Sequence, residues 1–181
     1  MNKALTTLFL ISALSYSAPV HAAPCAAEGF VQAAGAAFMG AARSGSAGAF
    51  TGAASRYADL RGIALFALGP YRKNLPKSRE GEYVALSKRF MGQFMSQYAR
   101  HFRGDGMIIT KCTGNTVATK LSTGQTLTFR LQGSRRIADV SVSGVWLAQT
   151  LRSKFTSVIR KKQRRCWGVA ELVGQLGDQS F

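Results

Sequence analysis

The chain has 181 residues, with 24 Lys and Arg against 8 Asp and Glu, a formal charge of +16. That length supports one domain with a sizeable core, and the charge speaks of anionic partners such as lipid headgroups or acidic proteins, not of any fold. Two histidines and a few scattered acids leave little material for acid–base catalysis, and no apolar run reaches the length needed to span a bilayer.

The first residues have the build of a secretory signal peptide. Lys3 is the positive end, Leu5 to Leu14 is mostly apolar, and Val20-His21-Ala22 is a small-residue cleavage site before Ala23. Residues 1–22 are therefore expected to be removed, leaving 23–181 as a single exported domain of about +15. A lipid-anchored alternative through Cys25 lacks the expected leucine three residues earlier and has Pro24 where a small residue belongs. Three cysteines remain, Cys25, Cys112 and Cys166, so an oxidising compartment pairs two of them. Cys112 lies in a strand-like run and is expected in the bridge. Cys25 is the preferred partner, with Cys166 left open. A zinc site from three cysteines and His101 lacks any short C-x-x-C pair.

Along the mature chain, Ala27 to Ala42 has a helical pattern with Phe30, Ala34, Phe38 and Met39 on one face. Ser44 to Gly52 is a loop or the start of a short helix anchored by Phe50. Asp59 is placed to cap a helix carrying Leu60, Ile63, Ala64 and Ala67, which Gly69-Pro70 ends. Ser78 to Phe102 is the longest expected helix, and its apolar arc is too wide for a single neighbour. Such an arc suits a helix that packs on a sheet and also borders a cavity. Four strand-like runs follow: Met107–Cys112, Thr116–Leu121, Gln125–Gln132 and Arg136–Val142. Short Gly-, Ser- and Asn-rich turns link them, as in an antiparallel meander. Leu127, Phe129 and Leu131 alternate with Thr126, Thr128 and Arg130, so one face is covered and one is wet. A long helix from Val145 to Lys162 and a short one near Val169–Leu176 complete an α+β order.

Catalysis finds no footing in this inventory. His101 stands alone among Tyr98, Arg100 and Phe102, and Glu80 and Glu82 sit two apart on a helix, where they do not face each other. No Gly-x-Ser-x-Gly elbow, P-loop or dinucleotide fingerprint is present. No catalytic residue, metal site or cofactor is expected, and neither export nor any motif favours nucleic acid. The basic run Arg160–Arg165 complements the C-terminal end of its helix.

One stretch is specific. Asp139, Val140, Val142, Gly144, Val145, Leu147, Arg152, Phe155 and Ile159 follow the spacing D-V-x-V-x-G-V-x-L-x-x-x-x-R-x-x-F-x-x-x-I. In this the chain resembles the MlaC (toluene-tolerance) family of periplasmic phospholipid-binding proteins. Leu68-Gly69-Pro70-Tyr71-Arg72-Lys73 is a looser second landmark, without the usual tryptophan. The resemblance implies a four-stranded, mainly antiparallel curved sheet wrapped by helices around an apolar lipid cavity. It also implies a monomeric periplasmic carrier whose cargo is phospholipid. Its partners by the same resemblance are an inner-membrane ABC transporter complex and an outer-membrane lipoprotein complex. Expected tail contacts are Phe90, Phe94 and Met95 on the long helix, Leu127, Phe129 and Leu131 on the sheet, and Val145, Leu151 and Phe155 beyond it. Each of these would serve an ordinary core equally well. Tyr71, Arg72 and Lys73 are candidates near the headgroup. Two other readings stay open: a carrier of a hopanoid or other apolar lipid, and a ligand-free basic adaptor.

Overall fold

The computed structural model describes residues 25–99, 104–133 and 135–163. The expected signal peptide, His101, Cys166 and the short helix near 169–176 lie outside the described residues. Helix α1 spans Glu28–Ser44, α2 Ala47–Tyr57 and α3 Leu60–Ala67. Thus the Ser44–Gly52 stretch resolves as the start of a helix. Ser46 Oγ accepts a hydrogen bond from the Ala49 amide and caps α2, while Asp59 Oδ1 accepts one from Gly62 at 2.9 Å and caps α3. Two 3₁₀ turns, Gly69–Asn74 and Lys77–Arg79, lead into α4, Glu80–Gln97. The sheet follows as β1 Met107–Thr113, β2 Thr116–Leu121, β3 Thr126–Leu131, β4 Ile137–Val142 and β5 Val145–Trp146, and α5 covers Leu147–Gln163.

All neighbouring strands pair antiparallel in the order β1-β2-β3-β4-β5. The expected count of four is therefore corrected to five. Val145 and Trp146, read from sequence as the start of the last helix, instead return along β4 and pair with Val142 and Ser141. The cause is the turn before them: Ser143 and Gly144 both adopt positive φ, 49° and 88°, the signature of a tight two-residue hairpin. Only after this pair does the chain enter α5.

Register decides which side chains meet the helices. Val117 faces Phe129, Thr119 faces Leu127, Phe129 faces Val140 and Leu127 faces Val142, so these residues share one side. On the other side Arg130 faces Asp139 and Thr128 faces Ser141. The pairing shifts between Arg130 and Leu131, because Leu131 meets Ile137. The extra residue, Ala138, makes a bulge that turns both Ile137 and Val140 to the helix side of a strand that would otherwise alternate. The start of β4 is also tied to the α2–α3 link, where the Asp59 amide donates to the Ile137 carbonyl at 2.9 Å. Cys25 and Cys112 form a disulfide that fastens the N-terminal end of α1 to the edge strand β1. Tyr83 is fully buried, and its hydroxyl donates to the Ala64 carbonyl at 2.7 Å, holding α4 on α3. Burial pushes this phenol well above its ordinary pKa.

Candidate functional site

Between the sheet and the helices lies a small cavity of about 60 Å³. Gly35, Phe38 and Met39 come from α1, Phe50 and Ala54 from α2, Leu60 and Ile63 from α3, and Met91, Gly92 and Met95 from α4. The sheet adds Met107, Leu121, Leu127, Phe129, Ile137 and Val140, while Ala58 and Leu147 close the ends. Every one of these is apolar or glycine. Nothing in such a wall can bind a polar molecule or perform acid–base work, but it suits hydrocarbon.

The volume is small: a cavity of about 150 Å³ accommodates one benzene, so acyl chains enter only if the walls move. The composition of the wall allows this. All four methionines beyond residue 1, Met39, Met91, Met95 and Met107, line the cavity. Methionine has three rotatable bonds and a polarizable sulfur, and repacks at low cost. Of these methionines only Met95 is among the expected tail contacts. The convergence of the other three depends on which helix faces which strand, although the sparse use of methionine elsewhere was a visible signal.

A second concavity of about 460 Å³ opens outward beside the first. Phe94, Tyr98, Val142, Val145 and Thr150 line it, and Met95, Val140 and Leu147 belong to both walls. Three apolar side chains thus separate an open apolar groove from the interior. A polar notch of about 640 Å³ adjoins the opposite end, lined by Ser55, Asp59, Arg61, Lys88, Gln132 and Arg136, and shares Ala58 and Leu60 with the cavity.

Of the expected tail contacts, Met95, Leu127 and Phe129 line the cavity, and Phe94, Met95 and Val145 line the groove. Val145 is 63% exposed there. Phe90, Leu151 and Phe155 border neither space. Phe155 is buried against Phe90, ring centroids 5.3 Å apart, and against Tyr83 at 6.5 Å, knitting α5 to α4. Leu131 is buried beside Ile137 at the bulge. Tyr71, Arg72 and Lys73 sit on the 3₁₀ turn after α3 and border none of the three concavities.

The sequence signature divides: Val140, Val142, Val145 and Leu147 line the cavity or the groove, while Asp139, Arg152 and Phe155 tie elements together. Asp139 Oδ1 accepts hydrogen bonds from the Val140 amide at 2.9 Å and the Ala148 amide at 3.0 Å, anchoring the first turn of α5 to β4. Burial raises its pKa above the usual carboxylate value; the two amides and Arg130 act in the opposite direction but do not cancel it. Arg130 in turn lies over the Trp146 ring at 4.2 Å. Gly69 has φ of 56°, and a Cβ there would stand 2.8 Å from Nε of Arg152, whose guanidinium also covers the Phe66 ring at 5.1 Å. The two landmarks, remote in sequence, therefore pack on each other. Among the described residues no group of His, Cys, Asp or Glu is arranged to hold a metal, and no helix is long and apolar enough to cross a membrane.

These features define an α+β protein with an antiparallel meander, an apolar interior and an open apolar groove beside it. The model of the MlaC protein family matches residues 40–178, and the chain belongs to that family. Among solved structures, a phospholipid-binding protein from Ralstonia solanacearum, determined in complex with a phospholipid, has the same fold. It superposes with a TM-score of 0.66 at 17% identity, covering 84% of this chain and 95% of that one. No curated protein matches the sequence.

Proposed function

We propose that the protein is a non-enzymatic carrier that binds phospholipid by its acyl chains. The observation that carries this reading is the wholly apolar, methionine-rich cavity joined to an open apolar groove through Met95, Val140 and Leu147. Family membership supports it, as does the phospholipid held by the Ralstonia protein of the same fold. Burial of each methylene contributes about 0.8 kcal/mol relative to water, but the bilayer shelters the same chains. The carrier has only to match the membrane, and an apolar cavity walled by repackable methionines suits that task. The signal-like N-terminus supports a periplasmic site of action. There the protein would hand lipid between an outer-membrane lipoprotein complex and an inner-membrane ABC transporter complex.

Organic extraction of the purified mature protein followed by mass spectrometry tests the reading. Co-purified diacyl phospholipid at near one per chain is the expected result. A polycyclic lipid would move the assignment to a carrier of other apolar cargo. A protein that takes up no lipid, even after incubation with phospholipid vesicles, would refute the carrier and leave a basic adaptor.

A further inference from the structure

The three concavities lie in a row, and the row is amphiphilic from end to end. Along α4, Lys88 borders the polar notch, Met91 and Met95 the cavity, and Phe94 and Tyr98 the outer groove. Along the run into and through β4 the order repeats, with Arg136 just before the strand at the notch, Ile137 and Val140 at the cavity, and Val142 at the groove. Ten helical residues from Lys88 to Tyr98 advance about 15 Å. The hydrocarbon core of a bilayer is about 30 Å thick, so the chains of one leaflet fill about the same 15 Å.

The cationic end is available for an anion. Lys88 is half-buried and has no carboxylate partner among the described residues. Arg136 has none either, and uses Nη1 for a long 3.4 Å hydrogen bond to the Arg56 carbonyl. Arg61 is already paired with Glu80, and the Asp59 carboxylate is engaged with the Gly62 amide. Lys88 and Arg136 are thus, among the described residues, the cations of this notch without a carboxylate partner, and Ala58 and Leu60 divide the notch from the apolar cavity. A guanidinium and an ammonium lining one notch suit a cluster of phosphate oxygens.

We propose that this notch seats the phosphate of the lipid headgroup, with Lys88 and Arg136 as its contacts. The acyl chains then run through the cavity toward Phe94 and Tyr98. The proposal rests on the carrier reading above, and it takes the headgroup site away from Tyr71, Arg72 and Lys73.

The test uses delipidated mature protein and three probes: dioleoylphosphatidylglycerol, dioleoylglycerol with the same chains, and inorganic phosphate alone. Binding is measured for the wild type, Lys88→Gln and Arg136→Gln, with melting temperature as the folding control. Each variant is expected to lose about tenfold in affinity for the phospholipid, in keeping with one charge-assisted contact. Affinity for dioleoylglycerol should be unchanged. In the wild type, added salt should weaken phospholipid binding and spare dioleoylglycerol, a readout independent of the variants. Phospholipid affinity that neither substitution nor salt alters would overturn the seat while leaving the carrier intact. Phosphate binding that the variants abolish, without any effect on lipid, would replace the headgroup by a free anion. A wild type that binds neither lipid would overturn the carrier reading, and the seat with it.

Discussion

Removing the disulfide should reveal how much of the stability rests on one covalent tie. Cys25 and Cys112 are separated by 87 positions in the chain, so the bridge closes a loop that takes in α1 to α4 and part of β1. Loop-closure entropy for that length, −2.1 − 1.5R ln n per kelvin, corresponds to roughly 4.6 kcal/mol at 25 °C. Against a typical domain stability of about 5–15 kcal/mol, this is a large share. The double substitution Cys25→Ala/Cys112→Ala should lower the urea midpoint by about 2 M if the slope is near 2 kcal/mol per molar. Reduction of the wild type should give a similar loss, and Cys166→Ala should change little. The reasoning is refuted if the double variant loses less than about 1 kcal/mol, or if Cys166→Ala proves as damaging.

Three further outcomes follow from the geometry. Met95 stands in the wall common to the cavity and the open groove, so Met95→Glu sets a carboxylate in the passage with water within reach. Such a variant should fold, at a cost of a few kcal/mol, and lose lipid retention; a folded Met95→Glu protein that still co-purifies with phospholipid would contradict the proposed path of the acyl chains. At Gly92 on α4, a Cβ would stand 2.7 Å from the Ala47 carbonyl oxygen of α2 and clash with Thr51 Oγ1. Gly92→Ala should therefore push α2 and α4 apart and cost about 1–3 kcal/mol, more than the better helix propensity of alanine returns. A raised melting temperature would show that the helices yield freely. The raised pKa of Asp139 means that the folded state holds this proton more tightly than the unfolded chain, whose ordinary value is 3.8. Its contribution is full below that value and is lost as pH rises through the folded pKa. Relative to Asp139→Asn, which keeps an oxygen for the Val140 and Ala148 amides, the wild type should lose stability in urea titrations as pH rises above 3.8. A difference that moves in the opposite direction would mean that Arg130 and the two amides outweigh burial.

The local grammar of the chain was readable without coordinates, because it depends on neighbours in sequence. Asp59 as a cap, Gly69-Pro70 as a helix stop, the four long strands and the buried side of β3 all follow from capping chemistry, turn residues and alternation. So did the family, through a spacing that runs from Asp139 to Ile159. Within that signature Phe155 packs against Phe90 and Tyr83, and Arg152 lies over the Phe66 ring. These residues bind helices to one another, and a motif records what the fold needs as readily as what the cargo needs.

What the tertiary structure decided was which surfaces meet. The bulge at Ala138 presents Ile137 and Val140 together, the Ser143-Gly144 hairpin makes a fifth strand, and the helix packing gathers four methionines from α1, α4 and β1 around one void. None of these is legible in a periodicity, because each depends on pairing register or on approach between elements far apart in the chain. The sequence specified an apolar interior and a basic exterior. Only the folded arrangement set Lys88 and Arg136 at one end of that interior and an open apolar groove at the other, since the distance between such groups is fixed by packing and not by composition.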